Sequence, residues 1–236
     1  MTEYYFAKDA DLLICTPFYL HQAYAPHEAS LAVALKLCEK VGIDAYFVPI
    51  MGDAYVWRVR NSFAHLFLNH TRAKNLIFID SDHAWDIEGF ANLLKAPVDI
   101  VGAAYPCKNN WEFWGVVHHV NEDGTPLVDP ETGLIEAVKV PTGFMKISRH
   151  AFEVIQASEP DNFYNTDEGE AHHGFFNQIC EDGVAHGEDI SFGIRALRAG
   201  LKLWIEPRIT IEHYGVEAHT GNYHDFLRRQ PGGDLA

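Results

Sequence analysis

Apolar residues fall into short blocks separated by polar turns, and the spacing inside each block predicts its element. Residues 11–17, DLLICTP, are a short apolar run stopped by Pro17 and predict a buried strand. In 27–41, Leu31, Ala34, Leu35 and Cys38 recur at helical spacing and Gly42 follows as a stop signal. Residues 43–50 alternate weakly and predict a second strand. Residues 54–70 predict a helix with Val56, Val59, Phe63, Leu66 and Phe67 on one side. LIFI at 76–79 is a strand running straight into Asp80-Ser81-Asp82, a short helix follows at 86–95, and VDIVGAA at 98–104 is a further strand. This alternation implies a parallel, right-handed α/β sheet, and uninterrupted apolar strands favour parallel pairing.

After residue 110 the texture changes. Residues 113–147 predict short strands joined by turns at Glu122-Asp123-Gly124 and Glu131-Thr132-Gly133, and 149–157 predicts a helix. Residues 159–187 are polar and aperiodic, the profile of a functional loop or mobile flap over an acceptor site. A helix at 188–199 ends at Gly200, and LKLWIEPRITIEH reads as a final strand pair. The expected organisation is a single unit: a nucleotide-binding half at 1–110, a second half at 111–215 and a C-terminal tail at 216–236.

Composition narrows the function. A 47% hydrophobic, 22% charged chain of 236 residues has the material for a packed core. A net charge of -15 opposes nucleic acid or an anionic membrane surface as partner. It permits a nucleoside diphosphate when a divalent cation stands between. Cys15, Cys38, Cys107 and Cys180 are widely spaced, with no CxxC, which implies free thiols and a reducing, cytoplasmic location. Neither a signal peptide nor an apolar run long enough to span a membrane is visible.

The candidate chemistry centres on LIFIDSDHAWD. Ligands of open α/β sheets sit at the carboxyl ends of strands. Two carboxylates leaving a strand there repel unless a cation or proton intervenes, and carboxylates, water and phosphate oxygens together suit a hard divalent cation. The plain alternative is a loop of two solvated acids and a helix cap. Glu188 and Asp189 open a helix, where the dipole and capping favour acids without any catalytic role. The pairs His118-His119 and His172-His173 read as surface or loop residues, since neighbours on a strand point to opposite faces, although His172 or His173 is a candidate for touching an acceptor.

Four segments, in order, resemble glycosyltransferases of the GT-A fold, small viral and bacterial enzymes above all. AYVWRVRNSFAHLFLNHTRAKNLIFIDSDHAWD resembles the Arg-bearing helix and the strand ending in Asp-x-Asp. VDIVGAAYPCK resembles the next strand, VPTGFMKISRHAFE the Thr-Gly-Phe segment on the acceptor side, and GEDISFGIRALRAGLKLWIEPRITIEHYG the late Glu-Asp helix and closing His. The resemblance spans roughly residues 11–215. It implies a GT-A mixed sheet with flanking helices and transfer of a sugar from a UDP- or GDP-type donor to a glycan or other hydroxyl acceptor. It assigns Mn2+ or Mg2+ to Asp80, Asp82 and His213, with Asp80 also facing the ribose or a metal-bound water. Thr16, Pro17, Arg60, Asn61, Ser81 and Lys108 fall on the donor side, and Thr142 and Gly143 on the acceptor side. Asp189, beside Glu188, becomes the general base of an inverting reaction. For Arg58 and Arg60 a solvent-facing helix with ordinary ion pairs is an equal alternative, as an exposed loop lysine is for Lys108.

Two other readings compete. A nucleotidyltransferase also uses strand-end acids and a cation, but its phosphate loop is glycine-rich and basic, whereas TPFYLHQAYAPH has no Gly, Lys or Arg. An inactive nucleotide-sugar-binding module would not require the intact acids and His213. A mononuclear iron oxygenase is more distant, because Asp82-His83 lacks the spacing of a two-His-one-carboxylate site.

Overall fold

The computed structural model describes residues 7–19, 21–108, 114–215 and 218–230. The first half runs β1 (Leu12–Phe18), α1 (Ala25–Lys40), β2 (Ala45–Met51), α2 (Val56–His70), β3 (Asn75–Ile79), β4 (His83–Trp85), α3 (Ile87–Lys95) and β5 (Ile100–Gly102). The second half runs β6 (Val117–His118), β7 (Ile135–Lys139), β8 (Phe144–Ser148), α4 (Arg149–Ser158), β9 (Phe163–Asn165), β10 (Ala171–His173), β11 (Cys180–Glu181) and β12 (Val184–Ala185). It closes with α5 (Glu188–Arg198), β13 (Leu203–Ile205), β14 (Thr210–Tyr214), β15 (Ala218–Asn222) and α6 (Tyr223–Arg228).

The main sheet has eight strands in the order β2-β1-β3-β8-β5-β13-β7-β6. β1 lies parallel to β2 and β3, as the apolar runs predict. β8 then enters antiparallel between β3 and β5, and β13 is parallel to β5 but antiparallel to β7, so the sheet is mixed rather than all parallel. Side-chain alternation divides the core in two. Leu13, Cys15, Leu76 and Phe78 face a cluster with Phe63, Phe67, Phe152 and Phe192 from α2, α4 and α5. Leu12, Ile14, Ile77 and Ile79 face Leu31, Cys38, Phe90 and Leu93 from α1 and α3. Strands apolar on every position are therefore explained by helices on both faces. Each fully buried Leu, Ile or Phe contributes roughly 1.5–3 kcal/mol.

Two expectations are corrected. LKLWIEPRITIEH is not a strand pair: β13 joins the main sheet, while β14 pairs with β15 and β4 in a separate three-stranded sheet. Residues 159–187 are not structureless, since β9–β10 and β11–β12 form two small antiparallel ladders. Their strands are only two or three residues long, too short to give a period. The part of the tail that is described also folds back, burying Tyr223 and Leu227, with Tyr223 against Trp114; residues 231–236 lie outside the described residues, as do 1–6, on which part of the signal-peptide reading falls. All four cysteines are free. Among the described residues no helix is long and apolar enough to cross a membrane.

Candidate functional site

At the carboxyl end of β3 the chain turns sharply, with the His83 N–H donating to the Asp80 carbonyl at 3.1 Å. Asp80 and Asp82 therefore sit on a tight turn, and small Ser81 lies between them. The turn is tied down by its backbone: the Tyr214 N–H donates to the Asp82 carbonyl at 2.8 Å and the Tyr24 N–H to the Ser81 carbonyl at 3.3 Å. Asp86 holds the next bend, capping α3 at Gly89 N (2.6 Å) and accepting from Thr210 N of β14 (2.7 Å). This cap locks β14 beside the turn, and with it His213.

His83 of β4 and His213 of β14 are partners across an antiparallel ladder, with ring centroids 4.6 Å apart. Each ring places Nδ1 against a backbone carbonyl, His83 on Gly143 at 2.8 Å and His213 on Pro106 at 2.9 Å. A carbonyl only accepts, so both Nδ1 atoms carry the proton and both Nε2 lone pairs are left free. Those lone pairs face the Asp82 carboxylate, at 3.8 Å from His83 and 3.9 Å from His213. Asp82 Oδ1 and His83 Nε2 are buried without a hydrogen-bond partner. Lone pairs and a carboxylate converging in this way repel one another unless something positive lies between them. Donor atoms of Asp82, His83 and His213 all lie within 4.8 Å of one another. The residues fit a divalent cation, and neutral imidazole anchored by a carbonyl is the usual form of a metal-ligating histidine.

Charge is tuned accordingly. Burial, followed by the neighbouring His83 ring, pushes His213 down to about 4, so it is neutral at physiological pH. Burial opposes ionisation of Asp82, but the His83 ring and the Lys108 ammonium outweigh it and hold the carboxyl below its ordinary range. Lys108, exposed in its loop, donates to Asp82 Oδ2 at 2.5 Å.

Asp80 is not one of the three clustered donors, although its Oδ2 borders them at Gly143. It accepts from Arg60 at 2.9 Å, and Arg60 also lies 3.6 Å from Glu188 at the start of α5. The two helix arginines thus separate. Arg58 is half-exposed and pairs with Asp53, whereas Arg60 is 2% exposed and lies over the Phe78 ring. Burial raises the Glu188 carboxyl above its ordinary range, with Arg60 partly offsetting this. Asp189 follows it in the first turn, its Oδ1 accepting from Ile190 N. Tyr105, partly buried and packed edge-on against His83 and His213, has its hydroxyl pushed up by burial.

The other expected donor-side residues, and Thr142 and Gly143 of the expected acceptor side, divide. Thr16 and Pro17 do not end β1 but lie within it, with Thr16 fully buried. Asn61 is also buried, and its amide bonds Phe176 N and Asn177 Oδ1, so it positions the 174–177 loop. Thr142 is buried with a partnerless hydroxyl. Gly143 is packed against Tyr105, His83 and Asp80: a Cβ there would run into the Tyr105 hydroxyl, 2.6 Å from His83 Cε1 and 2.8 Å from Asp80 Oδ2. His83 is the residue that sequence reasoning missed. Asp82-His83 lacks the spacing of an iron-oxygenase pair, but Asp82 lies on a turn and His83 on a strand, so these neighbours in sequence converge. His172 and His173 are likewise buried rather than surface residues.

The sequence matches no protein-family profile and no curated protein sequence. Solved structures do match. A197 from STIV superposes with a TM-score of 0.51 at 16% identity, over 86% of this chain and 85% of that one. GalNAc-T7, solved with UDP, GalNAc and Mn2+, gives a TM-score of 0.51 at 12% identity, over 86% of this chain and 43% of that longer one. The fold is GT-A-like. At these identities the likeness concerns the fold alone.

Proposed function

We propose that this protein is a divalent-cation-dependent glycosyltransferase that moves a sugar from a nucleoside-diphosphate sugar to a hydroxyl acceptor. One observation carries the reading: two carbonyl-anchored imidazoles, His83 and His213, turn their lone pairs onto Asp82 at the carboxyl end of a sheet strand. The GT-A-like fold supports it, since GalNAc-T7, which shares that fold, is seen with UDP, GalNAc and Mn2+. Asp82, His83 and His213 would hold a divalent cation, for which two imidazoles favour Mn2+ over Mg2+, and which when bound neutralises charge on a leaving diphosphate.

The chain's own groups do the rest. Lys108, beside Asp82, offers its ammonium to the diphosphate. Arg60 fixes the Asp80 carboxylate, which is left to accept from the donor's ribose or from water. Asp189 is the base for the acceptor hydroxyl, placed at a helix start whose dipole favours its ionised form. Glu188 lies beside the base, its carboxylate 3.6 Å from Arg60. Gly143 leaves the space in which Tyr105, His83 and Asp80 meet.

A thermal-shift panel of nucleoside diphosphates and nucleotide sugars, with and without Mn2+, tests the proposal. A ligand at a hundred times its Kd stabilises the fold by about 2.7 kcal/mol. The expected result is a shift by UDP- or GDP-type ligands that needs the cation. A shift by nucleoside triphosphates alone would favour nucleotidyl transfer instead.

A further inference from the structure

A second set of metal-ligating side chains lies away from the strand-end turn, between α2 and the β9–β10 hairpin. We propose that His65, Glu170 and His172 form a separate transition-metal site, of the kind that takes Zn2+, which clamps this hairpin onto α2.

His65 projects from α2, His172 lies within β10, and Glu170 immediately precedes that strand. Their donor atoms lie within 4.8 Å of one another. The two rings stack with centroids 4.1 Å apart and planes 22° from parallel, and His172 Nε2 lies 3.6 Å from the Glu170 carboxylate. That distance is beyond a hydrogen bond. His172 is 5% exposed, yet both its ring nitrogens lack a partner. An imidazole buried with neither nitrogen satisfied is costly unless a ligand completes it. Burial lowers the proton affinity of both rings, which favours the neutral form that a metal needs.

The surroundings are built to hold the cluster. Asn69 Nδ2 lies 3.3 Å from His65 Nδ1 and donates to the His65 carbonyl, fixing that ring one turn along the helix. On the far side, Tyr164 opposes His172 across the ladder and packs edge-on against it. Two imidazoles and one carboxylate match borderline metals rather than Mg2+ or Ca2+. Glu170, nearly half exposed, gives the entry side.

Zn2+ binding to the full-length, chelator-stripped protein tests this by equilibrium dialysis and by histidine-ring 15N NMR. Wild type should bind one equivalent that moves the ring-nitrogen resonances of His65 and His172. Glu170→Gln, on an exposed carboxylate, should keep the fold and weaken that equivalent at least about tenfold, a first-coordination ligand counting for no less than the outer partners of bound metals. His65→Asn should abolish it, and His213→Ala should leave it intact. Zn2+ should also slow proteolysis within 163–173 in wild type but not in Glu170→Gln. If ring signals of His65 and His172 do not respond to Zn2+, or if Glu170→Gln and His65→Asn bind as wild type, the site is refuted.

Discussion

Gly143→Ala is the sharpest perturbation of the candidate site, because the residue has no functional group of its own. Its backbone is outside the left-handed region, so alanine brings no conformational strain. What it brings is one methyl carbon, placed against the Tyr105 hydroxyl, 2.6 Å from His83 Cε1 and 2.8 Å from Asp80 Oδ2. Carbon atoms do not approach that closely, so His83 and the β3 turn must move. Overpacking of this kind costs about 1–3 kcal/mol, which for a chain of this size lowers the melting temperature by roughly 2–12 °C. The larger effect should be on ligand binding. Displacing His83 turns its Nε2 off Asp82, and Mn2+-dependent nucleotide affinity should fall at least about tenfold, or about 1.4 kcal/mol. Gly174→Ala is the control, since its Cβ would meet the Asn162 and Asn177 side chains instead. It should lower stability comparably while sparing the affinity. Calorimetric titration of nucleoside diphosphate with Mn2+ into both variants measures the difference. Wild-type affinity in a folded Gly143→Ala protein would refute the idea that Asp80, His83 and Tyr105 converge on a ligand site.

Other consequences follow from the same geometry. Arg60→Met removes a buried cation between Asp80 and Glu188; stability should fall by about 3 kcal/mol, toward the low end for broken buried pairs because Asp80 is partly exposed, and denaturant unfolding will measure it. Stability should also decline as pH falls from about 6.5 toward 4. The unfolded chain protonates His213 in that window while the folded chain, with its value near 4, does not. This loss is on the order of 3 kcal/mol at most, and Asp82, whose carboxyl is held low, adds loss of the same sign at more acid pH; melting curves across that range check it, and a flat profile contradicts it. Asp189→Asn should abolish sugar transfer in a donor-turnover assay while leaving donor affinity within about threefold, and near wild-type turnover would exclude Asp189 as the base.

Legibility in the sequence followed the range of the interactions. LIFI followed by Asp80-Ser81-Asp82 located the site because a buried strand and its polar end are local features. Arg60 could be favoured over Arg58 only by resemblance, since two residues apart on one helix differ in burial through what packs over them. β14 was misplaced because a strand's partner is a tertiary choice: the Asp86 carboxylate, by capping α3 and holding Thr210, draws β14 to β4. That pairing is what brings His83 opposite His213, and no pattern within either segment encodes it. His172 and His173 point to opposite faces as the alternation rule requires, yet both are buried. His172 is covered by His65 and Tyr164, and His173 by Phe163 and Phe175.

The central claim is that Asp82, His83 and His213 make nucleotide binding depend on a divalent cation. Isothermal titration of UDP and GDP into the wild-type protein and into His213→Ala, each in Mn2+ and in chelator, addresses it directly. The account predicts binding by the wild type only when Mn2+ is present. For His213→Ala it predicts an affinity at least about tenfold lower, with the melting temperature in chelator nearly unchanged. Equal affinity with and without the cation, or unaltered Mn2+-dependent binding in His213→Ala, would contradict it.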